Sequence, residues 1–396
     1  MSTRKRLRVL HVISGDLWAG AEAQAFTLIT TLARMPEVCI AAAVLNEGDL
    51  SKRLRLAGVE VFVFEEKRSN PIAIFMRMFQ LVRSWRPNVV HTHRYKENIL
   101  GSLVCKFFRR VYCVRTTHGA SERKCSRGLR RIQQQVLDTS DRWCGKWLQC
   151  KIIAVSRPLA SELERTYGKR KVSVIENGID VDSVRQCRGT AEFRSDCTDV
   201  LHVGIAARLV HVKRLDIFLR TAALLREKMP SSGWRFHLFG DGPLQEQLVE
   251  LAKSLNLLKE TTFHGHRTDI ATCIGGLDVL VNCSDHEGLP MTALESAALG
   301  VPLVAHAVGG LTNVVYPEFL VTIHEPAGYR DAIMRAIADV YRREFLNFSQ
   351  RILAEYSATH NAEAVLKLYL DVVSHGSSGL SESAHAGGGA SEKVSL

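Results

Sequence analysis

Two acids and two cations, three of them beside element ends and one inside a helix, could carry the chemistry of this 396-residue chain. Glu287 and Glu295 lie in the stretch 282–302, NCSDHEGLPMTALESAALGVP. The polar loop from Asn282 to Glu287 runs into Gly288 and Pro290. Pro290 at a first helical position, Gly300 after the last apolar position and Pro302 as a stop predict a helix of about ten residues. Pro290 has no N–H, but those of Leu289, Met291 and Thr292 are unpaired by the helix and point out of its start, as an anion site requires. One carboxylate thus stands beside a phosphate-sized site, and the second lies more than one turn further in. Either acid alone would read as a solvated residue on a capped helix. Both in this frame, after an apolar strand and ahead of Val308-Gly309-Gly310, favour a site.

The cations are Arg208 and Lys213. Arg208 closes an apolar strand; Lys213 follows in a loop before an amphipathic helix starting near Leu215. Five residues apart at a strand's carboxyl end, they can clamp a diphosphate. Cations at a helix start oppose the macrodipole, and an anionic ligand would reconcile the conflict. His118, in Thr116-Thr117-His118-Gly119, ends another strand. It reads either as a structural hydrogen-bonder or as a residue facing a cleft. His93, Asn177 and Asp241 read as supports.

These residues need a scaffold, and the chain describes one. From Arg8 onward, short apolar runs alternate with amphipathic stretches: LRVLHVIS, CIAAAVLN, VEVFVFE, PNVVHTH, VYCVRTTHG and IIAVSR read as strands with helices between most of them. The alternation predicts right-handed βαβ units and a mainly parallel sheet, with ligands outside the strands' carboxyl ends. It restarts after a polar linker at 180–199 with HVGIAARL, WRFHLFGDGP, TTFHGH, LDVLVNCS, VPLVAHAVGG and LVTIHEP. Two α/β domains follow, an N-terminal one over 1–190 and a C-terminal one over 198–358. A last helix, 359–373, is expected to pack back towards the N-terminal domain. The Gly/Ser/Ala-rich tail 374–396 is expected to be disordered.

Composition narrows the function. Apolar residues make up 46% and charged residues 23%, as in a soluble globular protein. No apolar run reaches the ~18–20 residues of a membrane span, and LRVLHVIS is too short for a signal peptide's apolar region. Ten cysteines lack any CxxC pair, and fifteen histidines lack ligand spacing, which fits a reducing cytosol and argues against structural zinc. Residues 1–197 carry 35 Lys and Arg against 19 Asp and Glu, a net +16, while the remainder is net −5. A basic half implies an anionic partner. Across 104–131 stand nine cations and one acid, Glu122, interleaved with aromatics and followed by Trp143 and Trp147 four apart. That pattern reads equally as a solvated basic face and as a surface resting on anionic lipid. No nucleic-acid module is present.

In order, ARLVHVKRLD, FGDGP, FHGH, SDHEGLPMTALESAALGVP and AVGG resemble family 4 of the glycosyltransferases, with Glu287 and Glu295 matching its Glu-x7-Glu motif. The resemblance spans nearly all of residues 7–373 and is tighter in the C-terminal half. It implies the GT-B fold, two Rossmann-like doubly wound domains facing across a cleft, and retaining transfer from a UDP-, GDP- or ADP-sugar to a saccharide or lipid-linked hydroxyl. It implies that Arg208, Lys213, Gly20 and the Leu289, Pro290, Met291, Thr292 segment hold the donor diphosphate. Glu295 would take the ribose hydroxyls, Gly265, His266 and Arg267 would lie near the base, and Glu287 and His118 would serve the reaction centre. With no DxD at a strand end, neither metal nor cofactor is expected; Arg208, Lys213 and the helix tip would offset the leaving charge. Bacterial envelope glycan assembly, in the cytoplasm or at the inner membrane face, is the setting family habit implies. A GT-B epimerase or phosphorylase, or a non-catalytic sugar-nucleotide or lipid binder, are the other classes this fold would allow. The sequence departs from the family where Ala19-Gly20-Ala21-Glu22 replaces Gly-Gly-Ala-Glu and where Asn313 stands in place of an acid.

Overall fold

A computed structural model describes residues 6–15, 18–119, 129–187, 191–194, 200–230 and 233–385. The first domain is a seven-stranded parallel sheet: β1 (Leu7–Ile13), β2 (Val38–Val44), β3 (Glu60–Val63), β4 (Val89–Thr92), β5 (Tyr112–Thr117), β6 (Lys151–Ala154) and β7 (Val172–Val174). Their order is β3-β2-β1-β4-β5-β6-β7. The second is a six-stranded parallel sheet: β8 (Val200–Ala206), β9 (Gly233–Phe239), β10 (Thr261–Gly265), β11 (Val279–Asn282), β12 (Leu303–His306) and β13 (Leu320–Val321), ordered β10-β9-β8-β11-β12-β13. The central strands are apolar on both faces because helices cover both sides, so they read as continuous runs rather than alternations. Val9, Ile13, Val44, Val203 and Val281 are all buried.

In both sheets the order reverses beside the first strand, between β1 and β4 and between β8 and β11. Such a switch point splays the loops at the carboxyl ends apart and leaves a crevice there. The loops leaving these four strands carry Ser14, His93, Arg208 and Glu287.

The closing helix, Ala358–His385, buries Ala362, Val365 and Tyr369 in the first domain's core and so straps the lobes together. A single parallel bridge, Ile179 to Ser357, marks the crossing. The helix continues twelve residues beyond 373, where the Gly/Ser-rich sequence was expected to lose order; residues 386–396 lie outside the described residues. Propagating a helix already anchored by Tyr369 is far easier than nucleating one, and so it runs through a sequence with poor propensity. No helix among the described residues is long and apolar enough to cross a membrane.

Candidate active site

The helix of the Glu-x7-Glu stretch is Met291–Leu299, with Pro290 in extended conformation as its N-cap rather than its first residue. Gly300 closes it in the left-handed region at φ +70°. The backbone N–H groups of Leu289, Met291 and Thr292 find no acceptor among the described residues. The tip therefore keeps the free donors that an anion needs.

Beside it, three donors converge on one carboxylate oxygen. Lys213 Nζ donates to Glu287 Oε1 at 2.6 Å, Ser284 Oγ at 2.7 Å and Asn282 Nδ2 at 3.1 Å. Burial alone would raise the Glu287 pKa, but Lys213 and these hydrogen bonds outweigh it and hold the carboxyl below its ordinary value. Glu287 is thus a fixed carboxylate whose Oε2 has no hydrogen bond among the described residues. Lys213 is held in register by the Asp285 N–H, which donates to the Val212 carbonyl at 2.9 Å. Arg208, after β8, is braced by the loop after β9, where the Leu209 N–H donates to the Asp241 carbonyl at 2.9 Å.

Glu295 sits one turn inside the helix and is buried, with Oε2 unpaired. Burial pushes its pKa up to about 7. A buried carboxyl without partners is costly unless a ligand supplies donors.

The first domain closes over this edge. Gly288 backs onto the His118 carbonyl and Val155, and an added Cβ would overlap both. Asn177 Nδ2 donates to the Leu289 carbonyl at 2.7 Å, a second link between the lobes. Gly309 and Gly310 cradle the same loop: a Cβ at Gly309, φ +56°, would collide with the Glu287 carbonyl, and the Gly310 N–H donates to the Gly288 carbonyl at 2.6 Å. His118 is half-buried as a residue, and its imidazole pKa is pushed down to about 3 by burial, with Arg94 adding to the effect.

Gly20 is the exposed first residue of the helix Gly20–Ala33. Two residues on, Glu22 is fully buried with Arg94 at 2.6 Å, and burial raises its pKa although Arg94 and, across the gap, Arg208 pull it down. Glu22 shows in the sequence only as the acid ending Ala19-Gly20-Ala21-Glu22, with no role assigned to it, and Arg94 has no signal beyond following a strand. Gly265 has φ +68° at the end of β10, followed by exposed His266 and by Arg267, which pairs with Asp269 at 2.7 Å and Glu192 at 3.5 Å. Arg53 of the first domain reaches the Thr268 carbonyl there at 3.3 Å.

His11, His91 and His93 lie close enough to suggest a metal centre. Their nitrogens are already committed. His91 bonds Tyr369 and, at 2.8 Å, Thr116; His93 bonds His11 at 3.1 Å and His118 at 3.3 Å. Only His11 Nε2 is unpaired, so the triad does not offer three lone pairs to one point.

Twin switch-point crevices, a helix tip with free donors and a carboxylate paired with lysine define a two-lobed glycosyltransferase architecture. The chain belongs to the family 4 glycosyltransferases. Residues 18–183 match the model for Glycosyltransferase Family 4, and residues 199–339 match that for Glycosyl transferases group 1. Glycogen synthase of Mycobacterium tuberculosis is 27% identical over 73% of this chain and 70% of its own length. The UDP-Gal:alpha-D-GlcNAc-diphosphoundecaprenol alpha-1,3-galactosyltransferase of Escherichia coli is 24% identical over 75% and 78%. Among solved structures, Anabaena Alr3699/HepE in complex with UDP-glucose superposes with a TM-score of 0.75 at 18% identity, over 92% of this chain and 100% of that one. The fold is GT-B.

Proposed function

We propose that the protein transfers a sugar from a nucleoside diphosphate donor to a hydroxyl of a saccharide or lipid-linked acceptor, with retention of anomeric configuration and without a metal ion. The carrying observation is the Lys213–Glu287 pair beside the donors of Leu289, Met291 and Thr292. Cleaving an anomeric C–O bond leaves positive charge on the ring and negative charge on the diphosphate. Arg208, Lys213 and the helix tip are the groups that offset the negative charge, and such preorganised donors act strongly in a site shielded from water. Glu287 Oε2 accepts from a hydroxyl of the sugar, Glu295 from the ribose, and the segment Gly265–Arg267 borders the base. In a same-face displacement the acceptor oxygen bonds the anomeric carbon. The old C–O bond breaks towards the diphosphate, and that diphosphate oxygen takes the hydroxyl proton.

The acceptor is envelope glycan precursor at the cytoplasmic face of a membrane, as the lipid-linked substrate in the E. coli relative's name suggests. The helix Leu129–Trp147 supports this reading: Ile132, Val136, Trp143 and Trp147 recur on one face, and each is about half exposed or more. Exposed Phe107 belongs to the basic stretch 104–131, of which 120–128 lie outside the described residues. Isothermal titration against UDP-, GDP- and ADP-sugars, followed by transfer assays in EDTA, tests the proposal. Binding of one donor class and turnover that survives chelation are expected. Turnover abolished by EDTA and restored by a divalent ion would refute the metal-free clamp.

A further inference from the structure

His118 is the end of a row of imidazoles. His11 Nδ1 faces His93 Nε2 at 3.1 Å, and His93 Nδ1 faces His118 Nε2 at 3.3 Å. Ring centroids 5.4 and 5.5 Å apart, with planes tilted by only 22° and 19°, are what end-to-end hydrogen bonding gives. His11 and His93 are buried, and burial keeps both neutral, His11 with a pKa of about 3 and His93 well below the ordinary value.

A neutral imidazole carries one N–H and one lone pair, so a row of three has two self-consistent states. In one, protons point from His118 inward, and His11 must carry its proton on Nε2. That atom is buried without a partner, and an orphaned buried N–H is rarer than an under-used acceptor. In the other, His11 Nδ1–H donates to His93 and His93 Nδ1–H donates to His118 Nε2. The blind end is then only a bare lone pair, and His118 must carry its proton on Nδ1. No described residue bonds that atom, and unlike His11 Nε2 it is not among the fully buried unpaired atoms. The blind end also means that the row cannot conduct a proton away.

We propose that His11 and His93 are positioning residues that fix His118 as the neutral Nδ1–H tautomer, so that it offers the sugar side of the cleft a hydrogen-bond donor and not a base. The charged group bearing on the ring, Arg94, disfavours the imidazolium further. The inference rests on the transfer reading for what the donor meets, and it explains why the acceptor proton goes to the diphosphate oxygen.

The test is 15N NMR of full-length protein labelled at histidine, with the His118 signals assigned by their loss in His118→Gln. Between about pH 5 and 8, where free histidine titrates, His118 should show a protonated Nδ1, an acceptor Nε2 and no titration. An Nε2–H tautomer, or an imidazolium in that range, overturns the proposal. In His93→Gln the side-chain amide can still donate to Nε2, and the tautomer should persist. In His93→Leu it cannot, and mixed tautomers should appear with kcat down about tenfold, the worth of one neutral hydrogen bond, and KM for the donor little changed. An unaltered tautomer in His93→Leu would equally refute the row as its cause. The spectrum needs no substrate: failure of transfer with the expected tautomer would sink the functional reading alone, and transfer with Nε2–H would sink this inference alone.

Discussion

Lys213 Nζ lies 2.6 Å from Glu287 Oε1, so without donor the cation proposed for the leaving diphosphate is neutralised by the acid proposed for the sugar. Both side chains are largely shielded, which makes the pair costly to break from one side only. On the proposed reading, donor entry would substitute diphosphate oxygens for part of this pairing, and the free energy of binding would carry that exchange.

The two halves of the pair should therefore fail differently. Lys213→Ala removes a preorganised cation, and kcat should fall by about 10²–10³, with weaker nucleoside diphosphate binding. Glu287→Gln keeps the shape, releases Lys213 to the diphosphate and removes the carboxylate. UDP or its counterpart should bind at least as tightly as to wild type, while kcat collapses. Titration calorimetry and steady-state rates separate the two; weaker nucleotide binding in Glu287→Gln would contradict the competition.

Glu295 gives a pH signature. Its pKa rises from the ordinary 4.5 to about 7 because it is buried. The native state then binds more protons than the unfolded chain between those values, so stability falls as pH rises through this window. The penalty is absent below about pH 4.5 and complete above about pH 7, at roughly 3 kcal/mol. Glu295→Gln should flatten this part of the dependence of Tm on pH relative to wild type. If Glu295 takes the ribose hydroxyls as proposed, they donate to its ionised form, so nucleotide binding should strengthen from pH 6 to 8 in wild type and expel a proton, about one per site at pH 6. Calorimetry in buffers of different ionisation enthalpy reads that proton; none released would mean that the carboxyl meets no donor.

Glycines at one loop should separate fold from closure. Gly309→Ala forces a Cβ into the Glu287 carbonyl at φ +56°, a backbone region unfavourable to alanine. It should lower Tm by several degrees and abolish turnover. Gly288→Ala instead meets the His118 carbonyl and Val155 of the other domain. Its Tm should fall less, while the lobes part and the radius of gyration in X-ray scattering grows. An unchanged envelope with full activity would show that the lobes do not need this contact.

The Glu287–Glu295 frame is readable because helix stops, prolines and glycines punctuate it, and Gly309–Gly310 are visible as a motif, but the pairing of Glu287 with Lys213, 74 residues away, is not. Strand alternation likewise exposed both sheets, since parallel strands buried on two faces leave plain apolar runs. Through-space partners were not readable. His11 looks like one polar residue in an apolar strand, and its link to His93 joins neighbouring strands of the sheet. The His91–Tyr369 bond spans 278 residues and depends on the closing helix crossing back. Glu22 feels Arg208 only because the lobes meet. The helix beyond residue 373 is not legible in the sequence, because local propensity describes a free peptide, not one extended from a packed anchor.

The exposed face of the helix Leu129–Trp147 yields the last expectation. Trp143 and Trp147 are 49% and 65% exposed, and Arg142 and Lys146 flank them, with Lys146 Nζ 5.7 Å from the Trp147 ring centre. A purely solvated face gains nothing from two indoles in water, whereas a bilayer interface takes the rings while anionic headgroups take the cations. Binding to vesicles containing anionic lipid should weaken as salt rises, because the Debye length shrinks from about 10 Å at 0.1 M towards 3 Å at 1 M. Replacing both tryptophans by serine should reduce binding at every salt concentration, and replacing Arg142 and Lys146 by glutamine should remove mainly the salt-sensitive part. Turnover of a soluble acceptor should survive both changes, since neither pair lies at the Lys213–Glu287 site. Vesicle binding that is absent in wild type, or indifferent to salt and to both sets of changes, would remove the membrane from the proposal and leave a soluble acceptor.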